Sequence, residues 1–161
     1  MEDKQIHNIE PVYDKNSRIL ILGSFPSVKS REGQFFYHHP QNRFWKILSA
    51  LTGDDFITDI EGKKALLLKH RIAVWDVIAS CTIEGSSDSS IKNVVPNDIN
   101  RILRGAEIEH IFTNGNKSYE LYRKYIREQT GVEAVKLPSS SPANAAWKLD
   151  RLIDAWRIIL A

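Results

Sequence analysis

Four short apolar segments limit what this chain can fold into: residues 18–22, 71–78, 109–113 and 132–137. The first contains an unbroken Ile-Leu-Ile-Leu run, which is typical of a strand buried on both faces of a parallel sheet. Stretches with the apolar spacing of helices separate the segments. This alternation predicts an α/β fold, a three-layer α/β/α sandwich around a central four-stranded parallel sheet.

The expected helices cover residues 42–51, 59–70, 96–104 and 117–129, and a last helix carries the apolar residues from Leu149 to Leu160. Residues 1–17 are polar, and we expect them to form a loosely packed lead-in. A chain of 161 residues is long enough for one hydrophobic core. The sequence therefore predicts a single domain over residues 1–161.

Each predicted strand ends in polar, turn-rich sequence: GSFPS, DVIASC, TNG and PSSSP in chain order. The carboxyl ends of parallel strands lie along one edge of a sheet, and open α/β sheets bind their ligands there. We therefore expect residues far apart in the sequence to meet in one cleft.

Composition excludes several classes of protein. The net charge is +2 and the only cysteine is Cys81, so the chain can form neither an internal disulfide nor a cysteine cage for an iron–sulfur cluster. It has no apolar run of about 18 residues and no signal peptide pattern, so we expect no membrane partner and a cytoplasmic location.

Common catalytic motifs do not match. GSFPSVKS lacks the second glycine of a phosphate-binding P-loop, and neither GxGxxG nor GxSxG follows a strand. His38 and His39 are adjacent and have no acidic partner nearby, so we predict no metal site and no cofactor. The amides, hydroxyls and aromatic rings that remain suit recognition of a flat heterocycle and attack by water on an electrophilic carbon.

Three motifs carry a resemblance to a known family. GSFPS after the first strand, HPQNRFW before the next helix and LPSSSPANA after the last strand resemble the uracil-DNA glycosylase superfamily, and more narrowly its hypoxanthine-DNA (deoxyinosine) glycosylase branch. NRFWK is also similar to a segment of the mismatch-specific thymine/uracil glycosylases. The resemblance implies a monofunctional glycosylase that flips a deaminated base, most of all hypoxanthine, out of DNA and hydrolyses its N-glycosidic bond, leaving an abasic site.

The resemblance also implies catalytic residues. Relatives keep a polar Asp or Asn two positions after the motif glycine, where this chain has Phe25. The hypoxanthine branch uses an Asn in the NRFW segment, which matches Asn42, so we predict that Asn42 positions the attacking water. The alternative is that Asn42 only caps the following helix. His39 is a candidate donor to the leaving purine or to a phosphate, and the alternative is a structural histidine.

Base-binding and phosphate-binding residues follow from the same motifs. Phe25, Phe36 and Tyr37 are candidates to stack on the flipped base, or else they belong to the core. Asp76, at the end of the second strand, is expected to accept from N1–H of hypoxanthine, or else it caps a loop. The hydroxyls expected on DNA phosphates are Ser24, Ser27, Ser139, Ser140 and Ser141. The last three precede a predicted helix, of which Ser141 and Pro142 read alternatively as N-cap and first residue.

The expected partner is DNA that contains a deaminated base, bound by a monomer. Three alternatives stay open: a uracil or mismatch glycosylase on the same fold, a module that binds damaged bases without hydrolysis, and a hydrolase of free nucleosides. The second alternative draws on Phe25, since the usual water-positioning residue is missing there.

Overall fold

A computed structural model describes residues 4–160. Within this range the chain forms seven strands: β1 (Lys4–Ile6), β2 (Ile19–Gly23), β3 (Ile72–Asp76), β4 (Ile78–Thr82), β5 (Lys92–Pro96), β6 (His110–Asn114) and β7 (Ala134–Leu137). Its α-helices are α1 (Val28–Gly33), α2 (Phe44–Thr52), α3 (Ile60–Lys69), α4 (Asn100–Gly105), α5 (Asn116–Tyr125), α6 (Arg127–Thr130) and α7 (Leu149–Trp156). Short 3-10 turns cover Asp88–Ser90 and Arg157–Leu160.

The central sheet has four parallel strands in the order β3-β2-β6-β7, with the helices packed around it. Its two inner strands, β2 and β6, are almost wholly buried, because helices cover both faces. This confirms the predicted parallel sheet and three-layer α/β/α architecture. No helix in the described range is long and apolar enough to cross a bilayer.

The second predicted strand, residues 71–78, does not run straight through. It ends at Asp76, and the chain turns at Val77 into β4, which pairs antiparallel with β1 and β5 in a separate three-stranded sheet. Buried Asn97 stabilises the turn, since its Nδ2 donates to the carbonyls of Asp76 (2.9 Å) and Ile78 (3.1 Å). The turn leaves the Asp76 side chain at the end of the central sheet.

The prediction of a loosely packed lead-in is wrong for residues 4–17; residues 1–3 lie outside the described residues. Ile9 and Val12 are buried in the core, and Val12 forms a bridge with Val74 of β3. The indole of Trp75 donates to the Ile9 carbonyl at 3.2 Å. The few apolar residues of this stretch, Ile6, Ile9, Val12 and Tyr13, lie among polar ones and are too few to define a helix or a strand, so the sequence alone did not indicate this packing.

The helix predicted directly after Ser141 is also wrong. Turns follow Ser141, and helix α7 begins only at Leu149. The carbonyls of Ser141 and Asn144 each accept a turn N–H from within the loop, and both also accept a hydrogen bond from Arg43. A helix N-terminus is therefore not the feature that these serines offer to a phosphate.

Candidate active site

A polar pocket of about 130 Å³ lies at the carboxyl ends of the central strands. Its walls come from segments far apart in the sequence, as expected for the ligand site of an open α/β sheet. The residues that line it are Gly23, Ser24, Phe25, Pro26, Ser27, Ser30, Phe36, Tyr37, Asn42, Asp76, Ser86, Asp88, Asn114, Ser139, Ser140 and Ser141. Ten of the eleven predicted site residues are among them; the exception is His39.

The floor of the pocket depends on Gly23. Gly23 pairs with Asp76 in the register of β2 and β3, at the last position of both strands. A Cβ atom on Gly23 would overlap the Asp76 carboxylate and would lie 3.0 Å from the Tyr37 hydroxyl. The absence of a side chain therefore lets a carboxylate and a phenol approach the same point.

Asp76 is almost fully buried, with 4% of its surface exposed. One carboxylate oxygen, Oδ2, lies 2.8 Å from Nε2 of His7, whose side chain is 1% exposed. The other oxygen, Oδ1, faces the position where a Gly23 side chain would be. No sequence signal pointed to His7, because it lies in a polar stretch 69 positions before Asp76.

Tyr37 brings a hydroxyl to this floor from a left-handed backbone position (φ 51°). Its ring stacks on Phe44 at 4.0 Å between centroids. The hydroxyl oxygen is buried and makes no well-formed hydrogen bond within the described range. Burial, and to a lesser degree the charge of Asp76, raises the pKa of Tyr37 far above its ordinary value. The polar side chain of Asn114 lowers this pKa through a hydrogen-bonding contribution that is smaller than the other two. The phenol is thus a neutral donor available to a ligand.

Asn42 lies on the pocket wall just before helix α2. Its Oδ1 accepts from the backbone N–H of Phe44 at 2.9 Å and from the hydroxyl of Ser140 at 2.8 Å. The bond from the Phe44 N–H caps the start of helix α2, which is the role that the alternative interpretation gave to Asn42. Both bonds fix the amide orientation, and no described residue accepts from Nδ2. The group that Asn42 offers to a ligand is therefore its amide N–H.

Ser140 is fully buried and links two strand ends. Its hydroxyl accepts from Nδ2 of Asn114 at 2.9 Å, and its backbone N–H donates to Oδ1 of Asn114 at 3.0 Å. Its own hydroxyl hydrogen goes to Asn42. This geometry makes Ser140 a support for Asn42 rather than a free phosphate ligand. The amide of Asn114 was missed, although the TNG sequence at the third strand end was a possible signal.

Arg43 holds the loop that contains Ser139, Ser140 and Ser141. Its guanidinium donates to the carbonyls of Ser141 (2.6 Å), Asn144 (3.1 Å) and Trp147, and its Nε to that of Ser140 (3.3 Å). These bonds add to the turn hydrogen bonds of the loop, in which the carbonyls of Ser141 and Asn144 accept the N–H groups of Asn144 and Trp147. The sequence did not single out Arg43, because nothing local shows that an arginine will bind carbonyls about a hundred residues away.

The remaining serines occupy the rim. Ser24 donates to Oδ1 of Asp88 at 3.3 Å. Ser27 caps helix α1, and its hydroxyl is shared between the backbone N–H and the hydroxyl of Ser30. Ser139 and Ser141 are partly exposed, and their hydroxyls accept backbone N–H groups of their own loop. All four serines line the pocket, and Ser27 is committed to the cap of helix α1. A ligand would reach the other three, Ser24, Ser139 and Ser141, from outside the pocket.

The aromatic candidates lie on one wall, whereas His39 lies apart. Phe25 is 9% exposed and Phe36 is 2% exposed, and both line the pocket. His39 is not among the lining residues, and its Nδ1 accepts from the backbone N–H of Gln41 at 3.0 Å. Neighbouring His38 lies over Gly33. His39 would have to act on a phosphate outside the pocket, or on a base in a rearranged loop.

Comparisons with known proteins identify the family and agree with the fold. The family model described as "Uracil DNA glycosylase superfamily" matches residues 10–159. Two proteins named "Hypoxanthine DNA glycosylase" are similar: one from Methanosarcina acetivorans is 38% identical (87% of this chain, 89% of the relative), and one from Methanosarcina barkeri is 35% identical (83% and 85%). A solution NMR structure of a uracil DNA glycosylase candidate from Methanosarcina acetivorans superimposes with a TM-score of 0.77 at 33% identity, covering 95% of this chain and 97% of that one. The chain belongs to the uracil DNA glycosylase superfamily.

Proposed function

We propose that this protein removes hypoxanthine from DNA by hydrolysing the bond between the base and C1′ of its deoxyribose. The observation that carries the proposal is the similarity, over most of both chains, to two proteins named hypoxanthine DNA glycosylase. The pocket is consistent with it, because it combines a buried carboxylate, a buried phenol and aromatic walls in a space that opens at a sheet edge.

Two groups at the floor of the pocket recognise the base in this proposal: the carboxylate of Asp76 and the hydroxyl of Tyr37. Oδ1 of Asp76 accepts N1–H of hypoxanthine, and the hydroxyl of Tyr37 donates to the neighbouring O6. Adenine has a lone pair at N1, which would face the carboxylate and leave it without a donor. The floor thus distinguishes the deaminated base from its parent, since an unpaired buried carboxylate is costly.

Stacking supports the flat ring once its edge is bound. Phe25 lines the pocket and is 9% exposed, and the Tyr37 ring is backed by Phe44. Phe36 is 2% exposed and packs in the core, so it supports this wall from inside. Extruding a base from duplex DNA costs a few kcal/mol, and stacking on an aromatic ring returns about 1–3 kcal/mol. The aromatic wall therefore helps to offset the cost of extrusion.

Asn42 is the principal catalytic residue in this proposal. As the C1′–N9 bond breaks, its electron pair moves to the departing base. Water adds to C1′, and the proton that it loses ends on the hypoxanthine anion, so the products are neutral hypoxanthine and an abasic site. Because Oδ1 is already engaged, the Nδ2 hydrogens stabilise the departing base or hold the water oxygen. The predicted catalytic role of Asn42 is thus assigned to its N–H donor.

The rim serines contact the DNA backbone. Ser139 and Ser141 are partly exposed at the opening, and their hydroxyls can donate to phosphate oxygens. Ser24 contacts a phosphate only by giving up its hydrogen bond to Asp88. Ser27 and Ser140 support these contacts from behind, through the α1 cap and the Asn42 bond. The role of His39 stays a prediction: a donor to the leaving purine or to a phosphate.

The test is release of free base from matched duplexes that contain one hypoxanthine, one uracil or only normal bases. Release of hypoxanthine with an abasic product supports the proposal. Uracil release alone would assign the same fold to a uracil glycosylase, and tight binding without release would indicate a reader of damaged bases. Cleavage of free deoxyinosine without preference for duplex, and without dependence on salt, would indicate a nucleoside hydrolase.

The proposal also covers the oligomeric state of the protein. A base-flipping pocket built from one chain needs no second copy, so we propose a monomer. We further propose that it works as one domain, without a cofactor, in the cytoplasm. Sedimentation with and without a hypoxanthine duplex tests the first of these points, with a one-to-one complex as the expected result.

A further inference from the structure

We propose that His7 is a positioning residue for base recognition, which acts by holding Asp76 in the orientation that reads the base. This inference rests on the proposed function, because it gives Asp76 a base to read. It assigns a role in specificity to a histidine outside every motif, in the segment before the first strand of the central sheet.

The hydrogen bonds of His7 define its tautomer. Nδ1 accepts from the backbone N–H of Ile9 at 3.3 Å, so it carries a lone pair. The ring proton therefore lies on Nε2, which donates to Oδ2 of Asp76 at 2.8 Å. A neutral ring with this tautomer leaves the carboxylate with one committed oxygen and one free oxygen.

The backbone holds His7 in place. Its N–H donates to the carbonyl of Ala79 at 2.7 Å, directly after β1, which pairs with β4. Three aromatic rings surround the imidazole, with centroids 6.0–6.3 Å away: Phe25, Phe36 and Trp75. Two of them, Phe25 and Phe36, also line the pocket, so the imidazole supports the aromatic wall as well as the carboxylate.

The free oxygen of Asp76 is the part that meets the ligand. With Oδ2 held by His7, Oδ1 faces the space above Gly23, beside the Tyr37 hydroxyl. Without the Nε2 donor, the Asp76 side chain, which is 5% exposed, loses its main partner, and its carboxylate would turn toward the Tyr37 hydroxyl. This change removes the acceptor for N1–H, so His7 controls recognition without touching the base.

Two variants separate donation from shape. His7→Phe keeps an aromatic ring but has no donor, whereas in His7→Gln the side-chain NH₂ takes the place of Nε2. On a hypoxanthine duplex under single-turnover conditions we expect His7→Phe to lose at least about tenfold in rate, and His7→Gln to recover most of it. Loss in both variants, or in neither, would overturn the proposal.

A double variant tests whether His7 acts through Asp76. If it does, His7→Phe combined with Asp76→Ala should be no slower than Asp76→Ala alone, because the acceptor is already gone. Losses that multiply would indicate a separate role for His7. Thermal unfolding of all variants, measured in parallel, separates this effect from a loss of folded protein.

The tautomer can be tested without any substrate. A long-range ¹H–¹⁵N spectrum of the imidazole should show His7 with its proton on Nε2, and Asp76→Ala should shift that signal. A proton on Nδ1, or no response to Asp76→Ala, would refute the proposal even if hypoxanthine is released. Conversely, an absence of base release combined with the expected spectrum would refute the proposed function and leave the His7–Asp76 pair in place.

Discussion

The hydroxyl of Ser140 donates to Oδ1 of Asn42 at 2.8 Å and joins residues 98 positions apart. Together with the Phe44 N–H, this bond uses both lone pairs of the Asn42 carbonyl and turns Nδ2 toward the pocket. The residue that resemblance singled out as catalytic is therefore held rigidly, by a partner that resemblance had placed on a phosphate.

Removing the donor of Asn42 should abolish base release. We expect both Asn42→Ala and Asn42→Asp to slow hypoxanthine release about 100-fold or more, because each lacks the amide N–H that faces the pocket. Single-turnover rates and duplex affinity measure this, with exposed Gln41→Ala as the control. Full activity in Asn42→Asp would mean that the carbonyl oxygen carries the chemistry.

Asp76→Asn should change base preference. His7 Nε2–H holds the amide oxygen of the new side chain, so its NH₂ group faces the base and meets N1–H as a second donor. We expect hypoxanthine release to fall about tenfold. Uracil release should fall less, because carbonyls on both sides of its N3–H can accept from the amide. An unchanged ratio of the two rates would assign Asp76 to structure alone.

Gly23→Ala should close the floor of the pocket. The added methyl group would overlap the Asp76 carboxylate inside a fully packed sheet edge, at a cost of about 1–3 kcal/mol in unfolding free energy. We expect release of hypoxanthine to be lost while the protein still folds. Urea unfolding and base release are the measurements, and an active Gly23→Ala variant would show that the base does not reach the floor.

Arg43→Ala should loosen the serine loop. Four carbonyls lose a charged donor, which we expect to destabilise the protein by about 2–3 kcal/mol. Amide hydrogen exchange over residues 139–147 should rise, and base release should fall with it, because Ser140 no longer holds Asn42. Arg104→Ala, which removes an exposed arginine of helix α4 that pairs with Asp98, is the matched control. Unchanged exchange in the loop would contradict the role of Arg43.

Stability should fall at alkaline pH because of buried phenols. Burial raises the pKa of Tyr37 and of Tyr122 in the folded state above the ordinary value of 10.0. Above pH 10 the unfolded chain loses these protons while the folded protein keeps them, so each phenol lowers stability by at most about 1.4 kcal/mol per pH unit. When the unfolding free energy is measured with urea at pH 9 to 11, it should fall less steeply with pH in Tyr37→Phe than in the wild type. An identical slope would indicate that Tyr37 ionises freely.

The sequence was informative where a signal was local. Buried strands such as Ile19–Gly23 show themselves as apolar runs, and polar residues at strand ends marked most of the pocket lining. Strand Lys92–Pro96 was missed because its residues are mostly exposed and follow a polar loop. His7 and Arg43 were missed for a different reason: their roles come from partners 69 and about 100 positions away, which no window of sequence contains.

The hydrogen bonds of Arg43 have a consequence for how this protein can change over evolution. They end on main-chain oxygens, so they place no demand on the exposed side chains of Ala143, Ala145 and Ala146. Asn144 and Trp147 differ, because Asn144 donates to the Ser139 carbonyl and Trp147 packs against the core. A laboratory library restricted to the three alanines would thus vary the outer surface of the loop on an unaltered scaffold.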